Sequence, residues 1–421
     1  MKFNLKSSFM FWVGFFGLMS ILFFRVYFSP QYYYGLSLFK PFFHVAFFVF
    51  LFFSFAWFFY QSKFLKNNIS FYTSFLILIY ILAHFIFLGR LLDVHPYIYA
   101  HQTDFLDTPL NPNILGSIIF LIFNSIFPLA MSRILNFNTV KKIVIFAAYF
   151  NVFIALTQWL FFFTGSKFLI GVHTVGIGGS DGLIYFRANG MFTNPFPYVV
   201  FLIVTSWLSM LNLSDRITLQ PNLHTYFLSV SALLANSKTA IVLIFLFWGW
   251  LLFFNGSLKR KIINMFFVFI VSYLAFYLIV LYDLLEVFRV FDANQYEDQS
   301  RIGRMLEAIP AIMSSPIIGY GYSIQFYTDN IITYLLLSGG LIHLLLWLSF
   351  AISPLINIYV VRSKNNKFCI NGFGLYGYFL VIIIVQVIQS TITSSYYSIP
   401  NWFIIILVSN YIVDYHKRCF K

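Results

Sequence analysis

Residues 331–352, IITYLLLSGGLIHLLLWLSFAI, contain no Asp, Glu, Lys or Arg. As an α-helix this stretch would extend about 33 Å, enough to cross the hydrocarbon core of a bilayer, which is about 30 Å thick. Similar apolar stretches recur along the chain, so we predict an all-α polytopic membrane protein with about twelve transmembrane helices in a single integral domain, residues 1–421. The candidate spans lie near residues 9–28, 41–60, 69–89, 114–131, 143–163, 192–212, 225–235, 239–254, 262–282, 330–352, 371–389 and 402–414.

The composition agrees with this prediction. Hydrophobic residues make up 60% of the chain and charged residues 9%, and the mean hydropathy is +0.84, which excludes a soluble globular domain. With the N-terminus on the inner side, the inner segments hold 17 of the 26 basic residues and only Asp215 and Asp414 among the acidic ones. This positive-inside pattern predicts that both termini are cytoplasmic. Because the basic residues are scattered over short loops, no nucleic-acid partner is expected.

Two details of the predicted topology depend on flanking residues. Apolar spans continue behind the first one and no small-residue cleavage site follows it, so we interpret 9–28 as a retained helix. The stretch 225–254 has Arg216 before it and Lys259–Lys261 after it, so both flanks are expected inside. An even number of crossings is therefore favoured, with a break at 236–238 on the outer side.

The sequence contains no pattern that predicts a metal or a cofactor. Both cysteines, Cys369 and Cys419, fall on the inner side, so no disulfide framework is expected. No CxxC, HExxH or spaced His/Cys set is present, and no nucleotide-binding loop is found on the inner side. The histidines within spans, such as His84 and His343, are interpreted as hydrogen-bonded structural residues.

The longest outer segment, 283–329, holds seven of the 11 acidic residues assigned to the outer side. Within it, apolar residues of 301–313 recur with helical period, which predicts a short amphipathic helix that Pro310 kinks or ends. Arg301 and Arg304 are then neighbours on the other face, in the first turn. A helix start with two guanidinium groups is a suitable phosphate site. The alternative is that these arginines pair with nearby carboxylates or face lipid phosphates.

Other outer residues carry candidate functions beside structural alternatives. Arg187 either contacts a ligand or snorkels to headgroups, and Lys238, between two apolar stretches, must face water, a ligand or a partner. The pair Asp329–Asn330 either caps the following helix or supplies a base at the membrane surface. Tyr320 lies in a Gly-Tyr-Gly-Tyr turn and is a candidate for stacking on a sugar.

Between residues 187 and 340 the chain resembles the O-antigen ligase/polymerase superfamily of bacterial inner-membrane proteins. The resemblance rests on an Arg, a P-x-x-G-x-G turn, a polar-Asn pair and a Gly in an apolar helix, here Arg301, Pro316, Gly319, Gly321, Asp329, Asn330 and Gly340. RANGMFTNP at 187–195 and NSKTA at 236–240 are similar to two further stretches of these proteins, with Lys238 replacing Arg. Ligases usually have His where Asp329 stands, and many members have Trp where Met305 stands. The missing His favours a repeat-unit polymerase.

The resemblance implies a GT-C-like metal-independent glycosyltransferase that works at the periplasmic face, with 283–329 as a long periplasmic loop. Donor and acceptor would be glycans linked to undecaprenyl diphosphate, and the other partners would be membrane lipids and a chain-length regulator protein. Arg187, Arg301 and Arg304 would bind the diphosphates, with Lys238 as a secondary contact and Asn330 and Tyr320 as substrate contacts. Asp329, with Arg301, would be catalytic, and no cofactor would be required.

Three other functions remain open from the sequence. A polysaccharide flippase or other secondary transporter would require ionisable residues deep in several spans. The ionisable residues outside the cytoplasmic segments are instead concentrated in outer loops, which favours chemistry at the surface. O-antigen ligase is the nearest enzymatic alternative, and a non-enzymatic assembly scaffold is the third.

Overall fold

The computed structural model describes residues 69–87, 121–164, 175–178, 183–192, 195–213, 217–235, 238–254, 306–321, 331–363 and 399–419, with single helical residues within 11–22 and 262–273. This part of the chain is mostly helical, in agreement with the predicted class. The spans predicted near 41–60 and 371–389 lie outside the described residues.

The described helices and strands are given in chain order. The helices are α1 (Ile69–Phe87), α2 (Phe127–Ile134), α3 (Phe137–Phe163), α4 (Pro195–Met210), α5 (Leu223–Ser231), α6 (Lys238–Phe254), α7 (Ile309–Ser314), α8 (Ile331–Ser363) and α9 (Ile399–Cys419). A π-helical turn, Ile122–Ile126, leads into α2, and a 3-10 turn, Ala232–Ala235, follows α5. The strands are β1 (Val175–Gly178), β2 (Leu183–Phe186), β3 (Leu211–Leu213) and β4 (Ile217–Leu219).

Two of the described helices, Phe137–Phe163 and Ile331–Val360, are long and apolar enough to cross a membrane. Four shorter helical stretches are also apolar: Ile69–His84, Pro195–Met210, Leu223–Ala235 and Asn401–Tyr415. Each of the six overlaps one of the predicted spans. Helix α3 begins at Phe137, before the predicted position, because Asn136 caps it by accepting a hydrogen bond from Thr139 N at 2.8 Å.

Helix α4 is the centre of the fold. All of its sixteen residues except Pro197 are buried, and it packs against α3, α5, α6 and α9. A helix that is apolar on every side is expected inside a bundle, where neighbouring helices cover each face. The loop that precedes α4 is therefore held close to the core, and it contains Arg187.

The predicted break at 236–238 is a reversal of the chain. In one continuous helix Ser229 and Trp248 would lie about 28 Å apart. Instead Trp248 Nε1 donates a hydrogen bond to Ser229 Oγ at 2.9 Å, and the rings of Tyr226 and Trp248 meet edge to face at 6.3 Å. Helices α5 and α6 therefore form an antiparallel hairpin, as the flanking charges indicate.

Two short β-hairpins lie between the helices, and the sequence analysis did not predict either. Strands β1 and β2 pair antiparallel with Val175 opposite Phe186, and β3 and β4 pair with Leu211 opposite Leu219. Strands of three or four residues are too short to show a reliable alternation. The first hairpin lies in the glycine-rich segment 164–191 and ends immediately before Arg187.

Contacts of α9 define the two ends of the bundle. Near the start of α9, Asn401 Nδ2 donates to Pro197 O at 3.5 Å, and near its end Asp414 pairs with Arg133 at 3.1 Å. At this Arg133 end, Lys141 Nζ donates to the carbonyl of Leu211 at 2.7 Å. Helix α3 runs from the Arg133 end to the Pro197 end. The segment 133–142 and the strand β3, both in regions predicted as inner, thus lie opposite the start of α4.

Candidate functional site

The P-x-x-G-x-G turn at 316–321 is inserted into a kink of α8. Within this helix Gly340 has φ 64° and ψ −163°, so the 330–352 span is not one continuous helix. The carbonyls of Leu337 and Ser338 accept hydrogen bonds from Tyr320 N at 2.7 Å and Gly321 N at 2.8 Å. In an unbroken helix these carbonyls would accept from the amides four residues later.

The amides of Leu341 and Ile342, which would bond to these carbonyls in an unbroken helix, bond to the turn instead. Leu341 N donates to Pro316 O at 2.8 Å and Ile342 N donates to Ile317 O at 3.3 Å. Four backbone hydrogen bonds to the turn therefore replace two bonds within the helix. We call this arrangement of 316–321 and 337–342 the joint. It leaves these buried backbone groups paired although α8 is broken.

Glycine is required on both sides of the joint. A Cβ atom on Gly340 would lie 2.2 Å from Ile317 O, and one on Gly319 would lie 2.7 Å from Leu337 O. Gly319 and Gly340 both have positive φ, which other residues rarely adopt. The glycines that carry part of the family resemblance thus meet in one contact.

Two side chains of α1 hold the joint. Tyr80 Oη donates to the carbonyl of Gly339 at 2.7 Å, and His84 Nε2 donates to the carbonyl of Ile318. His343 is fully buried beside the Tyr80 ring, with the ring centres 6.2 Å apart. His84 is thus a hydrogen-bonded structural residue, as predicted, and it links α1 to the turn.

Helix α7 packs on α8 beside the joint through small residues. Ala308 and Ala311 are fully buried with Leu337 and Tyr320. Residues 306 and 307 are helical, Ala308 lies in a turn, and Pro310 lies in the first turn of α7, so the helical segment is interrupted just before Pro310, in agreement with the predicted kink or end. Of the described residues of the predicted stripe, Leu306, Ile309 and Met313 are exposed, whereas Ile312 packs against this cluster.

The position of Tyr320 contradicts its predicted role. Its side chain is 6% exposed, and its hydroxyl donates to Ala311 O at 2.8 Å and also contacts Ser314 Oγ. A ring buried in this way cannot stack on a sugar. Tyr320 instead fastens the turn to α7, so we withdraw the sugar-stacking assignment.

A buried amide network fixes the loop after Arg187. Gln158 Oε1 accepts from Asn189 N and Gly190 N, each at 3.1 Å. Gln158 Nε2 donates to Asn189 Oδ1 and Gly190 O, each at 2.9 Å. Asn151, about two turns earlier on α3, accepts a hydrogen bond from Met191 N at 2.9 Å. The three polar side chains involved are fully buried, so the loop is rigidly placed.

Arg187 itself is half-buried and its Nε atom is inaccessible to solvent. It lies between Phe186 and Ala188, which are 2% and 0% exposed. An arginine that snorkels to headgroups would extend its guanidinium away from the protein. The side chain of Arg187 lies partly against the protein, with its Nε atom buried.

Trp159 brings the Arg187 loop and the break at 236–238 to the same place. Its Nε1 donates to Leu234 O at 2.9 Å, and its ring lies edge to face on Phe186 at 4.9 Å. Helix α6 begins at Lys238, four residues after Leu234. Both segments lie at the Pro197 end, where the predicted topology puts the outer side.

The remaining predicted site residues lie outside the described ranges: Arg301, Arg304, Asp329 and Asn330. The structure does describe both attachment points of 322–330. Gly321 is bonded to Ser338 in the joint, and Ile331 begins α8. Further along α8, Phe350 packs on Trp402 near the start of α9, with the ring centres 5.3 Å apart.

Sequence reasoning missed the residues that position these segments. Tyr80, Asn151 and Gln158 are polar residues in apolar stretches, and such residues in predicted spans are a usable signal for interhelical hydrogen bonds. Which backbone they bind could not be known from spacing alone. Within the described ranges, no three His, Cys, Asp or Glu side chains gather to form a metal site.

No model of a known protein family matches the chain, and no curated protein matches it. The likeness to the O-antigen ligase/polymerase superfamily thus stays a resemblance based on motifs.

Proposed function

We propose that this protein is an O-antigen polymerase, a glycosyltransferase that joins repeat units linked to undecaprenyl diphosphate at the periplasmic face of a bacterial inner membrane. The observation that supports it best is the joint. Pro316, Gly319, Gly321 and Gly340, separated by up to 24 positions in the sequence, belong to the resemblance and meet in one set of hydrogen bonds. Both ends of the segment that contains Asp329 and Asn330 are thereby anchored.

In the proposed reaction, a hydroxyl oxygen of the acceptor glycan attacks the anomeric carbon of the donor glycan. The bond between that carbon and the diphosphate oxygen breaks, and undecaprenyl diphosphate leaves with the electron pair. Asp329 orients the acceptor hydroxyl and takes its proton. Arg187, Arg301 and Arg304 stabilise the charge that develops on the leaving diphosphate, because guanidinium groups form paired hydrogen bonds with phosphate oxygens.

The clamped loop after Arg187 supports this assignment. An arginine that stabilises a developing charge is effective when it is already oriented, since no reorganisation is then required during the reaction. Gln158 and Asn151 hold the adjacent loop by five hydrogen bonds from buried side chains, four of them to its backbone. Lys238, at the start of α6, is the proposed secondary contact, and Asn330 the proposed substrate contact.

The test uses a host that lacks the gene, complemented with Arg301→Ala or Arg301→Lys, and examines surface polysaccharide on a gel. We expect Arg301→Ala to remove the ladder of repeats although the protein accumulates normally in the membrane. Lys142→Ala is the matched control, because Lys142 is an exposed cation in the first turns of α3 at the Arg133 end. A full ladder from stably inserted Arg301→Ala would overturn the role of this residue.

The product of the null strain separates the candidate functions. A single attached repeat is expected for a polymerase. Lipid-linked repeats stranded on the cytoplasmic side would identify a flippase, and finished chains left on the lipid carrier would identify a ligase. A normal ladder in the null strain would exclude all three.

A further inference from the structure

The segment 306–321 exposes a continuous set of large apolar side chains. Leu306 is 59% exposed, Ile309 45%, Met313 69% and Ile317 60%. We call these four residues the apolar face. The only charged residue of 306–321 is Glu307. Single exposed apolar residues are normal in proteins, whereas a contiguous group of this size marks a surface that another molecule covers.

Within the described residues, 306–321 packs on α8 through side chains other than those of the apolar face. The contact between this segment and α8 is made by Ala308, Ala311 and Tyr320, which are almost completely buried. Small alanine side chains let the two backbones approach closely. The larger side chains are thereby turned away from the bundle, opposite to what a helix on a soluble protein would do.

The apolar face continues onto α8. The hydrogen bonds of the joint place the backbone of 316–317 beside that of 341–342. On α8, Leu341 is 47% exposed, Ile342 37% and, one turn later, Leu345 53%. The stretch Ile331–Val360 is one of the two described stretches long and apolar enough to cross a membrane. The exposed side of α7 and the exposed side of this helix thus form one apolar surface.

The position of the joint along α8 indicates how deep the joint would lie in a bilayer that this helix crosses. The 30 residues Ile331–Val360 would extend about 45 Å, the full thickness of a bilayer with its headgroups. The joint begins about 10 Å along the helix from Ile331, whereas the headgroup layer on each side is only about 5–8 Å thick. Ile317, bonded to Ile342 about 16 Å along the helix, would then lie about 10 Å below the level where the acyl chains begin.

We propose that acyl chains of the outer leaflet cover the apolar face, so that 306–317 lies in the membrane interface and not in an aqueous loop. Interfacial helices bury one apolar side about 5–10 Å into the boundary between headgroups and chains, in keeping with the depth of the joint. This inference concerns the membrane alone and does not depend on the glycan reaction.

The test places a nitroxide label on single cysteines in the full-length protein, reconstituted in lipid nanodiscs. Cys369 and Cys419 are first replaced by serine, and cysteine is then introduced at Met313, Ile317 or Glu307. Glu307 is the matched control, since it is exposed in the same short segment but charged. Power saturation measures access of oxygen, which enters lipid, and of a water-soluble nickel chelate, which does not.

We expect labels at 313 and 317 to be relaxed more by oxygen than by the nickel chelate, and the label at 307 to show the opposite order. If 313 and 317 are as accessible to the chelate as 307, water covers the apolar face and the inference is wrong. Shielding of 313 and 317 from both reagents would identify a protein partner or a second copy, and it would also overturn the inference. Unchanged thermal unfolding of each unlabelled variant verifies that the fold is intact.

Discussion

Replacing Gly340 with alanine should open the joint. The new Cβ atom would lie 2.2 Å from Ile317 O and 2.5 Å from Ile318 N, closer than any non-bonded contact allows. Both neighbours are backbone atoms, so no side-chain rotation relieves the clash. Alanine also disfavours the positive φ of 64° at this position. The turn 316–321 must therefore move away from α8.

The cost follows from the hydrogen bonds. Opening the joint breaks four backbone bonds, while straightening α8 restores two, from Leu341 to Leu337 and from Ile342 to Ser338. Two net bonds at about 1 kcal/mol each, together with the lost packing of Tyr320 on Ala311, correspond to about 2–4 kcal/mol. The free energy that keeps the turn docked should fall by this amount.

Hydrogen exchange measures this quantity directly. When exchange is limited by local opening, the amides of Tyr320 and Gly321 should exchange about 30-fold to 1000-fold faster in Gly340→Ala than in the parent. Gly319→Ala should have the same effect, because its Cβ would lie 2.7 Å from Gly339 N. Gly249→Ala is the control, since no atom lies within 4 Å of its Cβ position in α6. Unchanged exchange at 320 and 321 in Gly340→Ala would refute the proposed geometry.

Three further variants test the other contacts. Gln158→Ala should lower the free energy of unfolding by about 2–4 kcal/mol, because it leaves buried backbone groups unpaired. The control Thr157→Ala loses a hydrogen bond only within α3 and should cost less than about 1 kcal/mol. Equal melting temperatures of the two variants would contradict this. Tyr320→Phe should cost about 1 kcal/mol and leave the polysaccharide ladder intact, so a lost ladder with a stable protein would restore a substrate role. The side chains of Arg133 and Asp414 are 33% and 13% exposed. A double-mutant cycle on this pair should give a coupling energy of less than about 1 kcal/mol, which should fall as salt is added. A larger coupling energy that does not depend on salt would argue against a surface pair.

Much of the helical architecture follows from local sequence. The apolar stretches 69–89, 143–163 and 402–414 correspond to α1, α3 and α9, because a run of apolar residues without Gly or Pro has one favourable backbone conformation in lipid or in a core. The reversal between α5 and α6 was predictable from the basic residues on both flanks. The two β-hairpins were not, since strands of three or four residues depend on their partners.

The candidate site was predictable in its residues more than in their roles. The sequence identifies Gly319 and Gly340 as members of a pattern. Only the structure shows that a Cβ atom on either glycine would overlap the backbone near the other one. Tyr320 was assigned to the substrate because aromatic residues in glycine-rich turns often face a ligand. Whether such a ring points outward or inward depends on the segment packed beside it, here α7.

By itself, the sequence of this protein determines which segments are helical and which are apolar enough for a membrane, and it predicts on which side the charges gather. These properties depend on composition and on neighbours a few positions away. Only the tertiary structure decides that a turn at 316–321 completes the hydrogen bonds of a broken helix more than 15 residues later, and that Gln158 holds the loop beside Arg187. The physical reason is that a buried backbone group accepts any donor of suitable geometry, and the chain folding as a whole determines which donor is near.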